Sequence, residues 1–372
     1  MLGNGLQGSL LGIRASHEGF GTAVTGLIMS GFFAGFLLGS VWTPGAVQKV
    51  GHIRVFAALA ALASGTILIH ALLIVPSVWW GMRFVSGVCF SGIFVIAESW
   101  LNDRTENDIR GQILALYMIT MFLGMGSGQL MLNLADPGRA DLFIIASVVI
   151  SLAVVPLLLS ASPAPEIIQP RSTSLKRLLK ASPLWVVGTF IAGVTNGSVF
   201  GMGSVFAHAR GFSIGEVSAF MGLIIAGAAV TQWPIGKLSD IMDRRLIITA
   251  VTFIAATSAI LAGLPGLWSN ANLLVFAAVF GGLALPIHSL CLAYTNDYLD
   301  ADERLGASSG LVLVLGSGSI VGPLASGVAM SLMGPGGFFW WLAFIHLGLG
   351  FYAVWRMTRR PSLAAADQSP FV

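Results

Sequence analysis

Eight stretches of this chain hold no Asp, Glu, Lys or Arg: 19–48, 55–82, 111–135, 142–165, 181–209, 217–236, 246–296 and 305–355. A helix needs about 20 mainly apolar residues to cross a bilayer core. Six of the runs fit one such helix each. The two longest fit two each, divided at LPGLWSNAN (264–272) and MGPGG (333–337). Only 9% of the 372 residues are charged and 56% are hydrophobic, whereas a soluble domain is about a quarter charged. A chain this apolar could not clothe a water-facing surface. In lipid each backbone N–H and C=O must be satisfied within the chain, and helices do this segment by segment. The pattern therefore predicts an all-α, polytopic membrane protein. Its helices fall near 1–13, 20–43, 53–75, 78–100, 111–133, 142–160, 184–208, 214–236, 246–264, 271–295, 306–331 and 337–356.

Twelve helices place the loops alternately on two sides. One side, with the C-terminal tail, collects 15 of the 19 basic residues. The positive-inside rule makes that side cytoplasmic and puts both termini there. The expected division is a six-helix bundle at 1–160, a cytoplasmic linker at 161–183, a second six-helix bundle at 184–356 and a cytoplasmic tail at 357–372. Cys89 and Cys291 lie in apolar runs and read as packing residues, not a disulfide or metal pair.

Sliding the chain against itself by 192 to 194 residues aligns Asn4-Gly5 with Asn196-Gly197, and Gly19-Phe20 with Gly211-Phe212. It also aligns Asn102-Asp103 with Asn296-Asp297, Asp108 with Asp302, and Arg110 with Arg304. Gly124-x-x-x-Gly128 meets Gly318-x-x-x-Gly322. One offset sustained across four helix pairs makes the halves a parallel repeat, a plan that places a transporter's site between them. By the same offset the partner of the seventh helix would begin about eight residues before Met1. The 13 residues before Arg14 reach only about 20 Å, so the first helix is expected to be N-terminally truncated.

The segment GKLSDIMDRR (236–245) packs five ionisable residues into ten positions. It resembles the signature loop between helices eight and nine of the major facilitator superfamily. Gly236, Leu238, Asp240, Arg244 and Arg245 match; Ile241 and Asp243 depart from the usual pattern. In the first half PGAVQKVGHIR (44–54) corresponds, with Gly51, Lys49 and Arg54 in place but Gln48 where the acid usually stands. AESWLND (97–103) and VGHIRVF (50–56) further resemble the poorly characterised YcaD-like subgroup. The resemblance implies a fold of two six-helix pseudo-repeats and a cytoplasmic gate braced by these charges. Physically, Gly236 permits close approach, and Asp240 suits a helix N-terminus. Arg244 and Arg245 suit a clamp on Asp297, Asp300 or Asp302. The plainer alternative is a solvated turn in which charge is inexpensive.

Ionisable groups inside a span are expensive and point to function. Arg83 begins R-x-x-x-G with Gly87, which resembles a superfamily motif linked to proton coupling in some antiporters. Arg83 could instead snorkel to the nearer surface, and His70 lies at a matching depth. Glu98 is either a proton-binding carboxylate or an ion-pair partner of Lys49 or Arg54. His288 follows Pro286 in a cavity-type helix and could carry a proton; His346 reads as packed. Asn4, Gln7, Thr195 and Asn196 share a depth on helices one and seven, where they either line a cavity or bond between helices. Gln129 and Gln232 are weaker candidates. Trp79, Trp80, Trp340 and Trp341 read as interface anchors, and the paired glycines as close helix crossings.

No phosphate-binding G-x-x-x-x-G-K-[ST] loop and no metal-ligand motif occurs, so neither cofactor nor metal is expected. Positive charge is sorted by membrane side and not pooled, which leaves no nucleic-acid surface. The reading is a non-enzymatic secondary transporter of the bacterial cytoplasmic membrane. It acts as a monomer by alternating access on a small organic solute, with protons coupled and export favoured. The alternatives are an uptake symporter, or a receptor or assembly factor on the same fold. The expressed chain should sediment with membranes and resist alkaline extraction; recovery in the supernatant after ultracentrifugation would overturn the membrane assignment.

Overall fold

The computed structural model describes residues 1–105, 110–159, 183–264, 266, 268–296 and 301–359, with backbone alone at 102–104, 110, 111, 114, 115, 295, 296, 301–309 and 311. Most of the linker and of the tail therefore lies outside the described residues. The helices are α1 (Leu2–His17), α2 (Thr22–Val50), α3 (His52–Leu72), α4 (Pro76–Arg104), α5 (Arg110–Leu130) and α6 (Asp141–Leu152, with a further turn Val155–Leu158). They continue with α7 (Pro183–Ala209), α8 (Ile214–Ile241), α9 (Arg244–Gly263), α10 (Asn270–Ala284, resumed at Ile287–Asn296), α11 (Ala301–Met333) and α12 (Gly337–Met357). Pro286, which has no N–H to donate, sits at the break in α10. Among the described residues, ten helices are long and apolar enough to cross a membrane; α1, with 16 residues, is shorter than a span.

Two compact units divide the chain, Met1–Gln169 and Pro170–Val372. In the first, α1 packs on α5 and α6, α2 on α4, and α3 on α4 and α6. In the second, α7 packs on α11 and α12, α8 on α10, and α9 on α10 and α12. The principal pairs correspond after a shift of six helices, so the repeat in sequence is also a repeat in packing; the second unit adds contacts of α7 with the later segment of α10 and of α11 with α12.

Glycine sets these contacts. A Cβ on Gly87 would run into the Phe32 carbonyl, and one on Gly35 into the Phe84 carbonyl, so α2 and α4 touch backbone to backbone. Gly227 and Gly281 do the same for α8 and α10. Gly5 and Gly128 bring α1 onto α5, and Gly193, Gly197, Gly318 and Gly322 bring α7 onto α11. Within lipid there is no hydrophobic drive to pair helices, and small residues let dispersion and backbone contacts do it instead. The crossings expected at Gly128, Gly318 and Gly322 are thus present. Gly124 sits against the Met1 side chain.

The aligned Gly-Phe pairs have a local cause. Gly19 and Gly211 adopt φ of +73° and +89°, a region that favours glycine. There each ends its helix with the same bonds: Phe20 N–H to Ala15 C=O and Phe212 N–H to Ala207 C=O. That is the six-to-one closure of a helix C-terminus. At the next bend the halves diverge. Gly51, at φ +94°, is the whole connection between α2 and α3, whereas Met242-Asp243 connects α8 to α9.

Two glycines on α4 separate packing from composition. Gly81 has nothing within 4 Å of an added Cβ. Gly87→Ala should lower the melting temperature in step with a penalty of about 1–3 kcal/mol for overpacking, while Gly81→Ala should leave it level or raised. Equal effects at the two positions would contradict the crossing.

Candidate functional site

The first unit encloses a polar patch built on α4. Arg83 is 3% exposed, and its Cζ lies 4.4 Å from the centre of the Phe32 ring. The R-x-x-x-G spacing explains the placement. Gly87 fixes α4 against the Phe32 backbone, and Arg83, four residues earlier on the same face, then meets the Phe32 ring. Snorkelling is thereby excluded: the guanidinium is inside the bundle. Its Nε and Nη1 have no hydrogen-bond partner among the described residues, and no described carboxylate pairs with it.

Around Arg83 the patch is continuous. Ser86, one turn along α4, shares a 2.8 Å hydrogen bond with Thr66 of α3 and accepts a longer one from Gln7 Nε2 of α1 at 3.4 Å. The Thr66 carbonyl accepts from His70 Nδ1 at 2.7 Å, so the proton of the neutral ring sits on Nδ1. His70 is fully buried and within electrostatic reach of Arg83. Gln7 Oε1 is buried without a partner. Gln129 serves α1 instead, accepting from Ser9 at 2.6 Å and donating to the Gly5 carbonyl at 2.8 Å.

Further along α4, Glu98 is exposed and within electrostatic reach of Tyr117 of α5. Lys49 and Arg54, the ion-pair partners considered for Glu98, are both exposed.

In the second unit the buried polar group is different. Thr195 Oγ1 donates to the Ile191 carbonyl at 3.0 Å. A hydroxyl has one proton, so His346 Nε2–H must be the donor in their 3.1 Å contact. His346, read as packed, is fully buried and ties α12 to α7, with Phe280 edge-on at 5.4 Å. Ser198 donates to the Gly322 carbonyl at 3.0 Å and accepts from Trp341 Nε1 at 3.2 Å. His288 is partly buried just after the α10 break, and its Nδ1 has no partner among the described residues. Beside it Ser289 accepts from Gln232 at 3.2 Å.

The matched quartet on helices one and seven therefore splits. Gln7 and Thr195 are buried and bonded between helices, while Asn4 and Asn196 are partly exposed. Two expected interface anchors bond to neighbouring groups, one of them fully buried. Trp79 is fully buried, with Nε1 donating to the Leu73 carbonyl at 2.9 Å, and Trp341 holds Ser198. Cys89 and Cys291 are free, buried thiols. Thr66, Ser86, Ser198 and Phe32 did not stand out in sequence. The usable signal was spacing: Ser86 is i+3 from Arg83, and Thr66 is i−4 from His70.

The charged turn is not a solvated loop. Arg244 is 1% and Arg245 5% exposed. Arg244 pairs with Asp240 at 2.8 Å and Arg245 with Asp243 at 2.7 Å. Helix α8 runs on to Ile241, so Asp240 lies in its last turn, where the dipole disfavours an anion; Arg244 offsets this. The acid at the following helix N-terminus is Asp243, whose side chain accepts from Arg245 N–H at 3.0 Å. That corrects the expected role of Asp240 along its own chain. Gly236 is buried within α8. The proposed acids Asp297 and Asp300, and the side chain of Asp302, lie outside the described residues. In the first half Lys49 and Arg54 stay exposed, and Gly51 makes the bend.

The Major Facilitator Superfamily pattern matches residues 1–268 and 186–370. The uncharacterised MFS-type transporter YcaD of Escherichia fergusonii is 24% identical over 324 residues, covering 87% of this chain and 84% of that protein. An uncharacterised MFS-type transporter of Yersinia pestis is 25% identical over 369 residues, covering 98% and 92%. Among solved structures, the nucleoside transporter NupG superposes with a TM-score of 0.75 at 15% identity, covering 96% of this chain and 97% of that one. A bacterial homologue of the human lysosomal transporter Spinster, inward-facing and occupied, gives 0.76 at 15% identity, covering 99% and 96%. At that identity the likeness is one of fold.

The Asp243–Arg245 pair carries a pH signature. Burial alone would raise the Asp243 carboxyl, but the hydrogen bonds and charge of Arg245 outweigh it and hold the group below its ordinary 3.8. A depressed folded value contributes stability above 3.8 that is lost as pH falls through the lower folded value. Asp243→Asn keeps the helix cap and removes the charge. It should lower the melting temperature at neutral pH, with the gap to wild type closing on acidification below 3.8. A pH-independent gap would reject the pairing as its source.

Proposed function

The chain belongs to the Major Facilitator Superfamily, and from that premise we propose that it is a proton-coupled secondary transporter of the bacterial cytoplasmic membrane. It moves a small organic solute by alternating access, as a monomer, with export as the working direction and both termini cytoplasmic. Arg83 carries the reading. An arginine inside a span is retained against its solvation penalty only where it is used, and here it is buried on α4 with unpartnered donors. Glu98 lies on the same helix, 15 residues and about 22 Å further along, and supplies a carboxylate to take up and release the coupled proton. Orientation follows from the basic residues gathered on one set of loops. Asn4, Gln7, Thr195, Asn196 and His288 are the proposed polar contacts along the pathway. The paired charges of Asp240, Asp243, Arg244 and Arg245 brace the cytoplasmic gate of the second half, and Lys49, Gly51 and Arg54 form its weaker first-half counterpart.

Transport is tested in proteoliposomes with solutes chosen by a thermal-shift screen of metabolites and drugs. Flux of a stabilising solute should rise with an imposed pH gradient and collapse with an uncoupler. Glu98→Gln should leave solute counterflow within about a factor of three while reducing gradient-driven flux at least about tenfold, a range typical for losing one acid–base group. Flux indifferent to pH and uncoupler would remove proton coupling, and no flux of any stabilising solute would remove transport.

A further inference from the structure

We propose that the Arg83 patch of the first unit is a binding site for an organic monocarboxylate, and that this carboxylate is the charge partner the protein itself does not provide. The argument is one of compensation. A guanidinium carries five donors and a fixed positive charge, and moving it out of water requires hydrogen bonds and an opposite charge to offset the penalty. Arg83, 3% exposed, has neither for Nε and Nη1 among the described residues. What it touches is the Phe32 ring at 4.4 Å, and a cation–π contact offsets only part of the penalty for burying an ion. Arg244 shows the contrast within the same chain: it is just as buried, but Asp240 sits 2.8 Å away.

The neighbours of Arg83 narrow the ligand further. Gln7 Oε1, buried and unpartnered, faces the patch from α1 and accepts a hydroxyl or amide hydrogen. The Phe32 ring offers apolar contact. Ser86 and Thr66 are engaged with each other, and His70 donates its Nδ1 proton to the Thr66 carbonyl, so Arg83 is the patch's one fixed charge among the described residues. That arrangement suits one carboxylate, and neither a dianion nor a cation. The identification of this ligand as the transported solute rests on the transporter reading above; the site itself does not.

Two measurements on the detergent-solubilised full chain test it. The first needs no ligand: Arg83→Met removes a charge that the protein leaves uncompensated, so the ligand-free variant should melt at or above the wild-type temperature. The second uses acetate, lactate, pyruvate, hexanoate and benzoate, each beside its primary amide. At least one acid should raise the wild-type melting temperature by several degrees more than its amide. That difference should vanish in Arg83→Met, while Arg83→Lys keeps it with affinity reduced at least about tenfold, because an ammonium lacks the planar fork. A ligand-free Arg83→Met protein melting several degrees lower would make the arginine a structural strut and overturn the proposal. So would acids no better than their amides, or discrimination that survives without Arg83. An acid that binds through Arg83 but is not moved in liposomes leaves the site standing and sinks its identification with the transported solute. Flux of a neutral solute, with no acid stabilised through Arg83, keeps the transporter reading and sinks the site.

Discussion

Backbone contact between helices α2 and α4 is the constraint on which the first unit depends. Lipid tails are as apolar as leucine, so burying leucine between helices gains little there. Glycines at 35, 39 and 87 remove the side chains that would hold the two helices apart. That one contact has a second consequence. It brings the Phe32 ring beneath Arg83, and through Ser86 it aims the same face of α4 at α1 and α3. Packing and the polar patch are thus products of the same close crossing.

Positive charge is handled in three ways along this chain, in order of rising energetic demand. Lys49 and Arg54 remain exposed, where water screens them. Arg244 and Arg245 are buried beside Asp240 and Asp243, and the attraction of each pair offsets loss of hydration. Arg83 is buried over an aromatic ring, with no carboxylate of the described chain beside it. The third is the arrangement from which the proposed function is argued.

The halves share a scaffold but not a chemistry. Their principal helix pairs correspond, and their first helices end in the same glycine-terminated bonds. Yet the buried polar group is an arginine patch in one and a His346–Thr195 bond in the other. The loop between the second and third helices is a lone Gly51 in one and an acid-capped, doubly paired turn in the other. Repeats keep what packing demands and let the side chains within diverge.

Several features were legible before any coordinates, because each is a one-dimensional property of the chain. Hydrocarbon thickness sets the length of an apolar run, so the helices could be placed from composition alone. Positive φ admits glycine, so the aligned Gly19 and Gly211 marked equivalent helix ends. The repeat offset and the R-x-x-x-G and G-x-L-S-D-x-x-D-R-R spacings were likewise countable. Tertiary structure decided what spacing leaves open, namely which face of each helix meets which neighbour. It put Arg83 inside and not at the surface, left Glu98 beside Tyr117, buried Trp79, and bound Trp341 to Ser198 and His346 to Thr195. Burial and partnership depend on residues tens to hundreds of positions apart in the chain, and only the folded bundles bring those together.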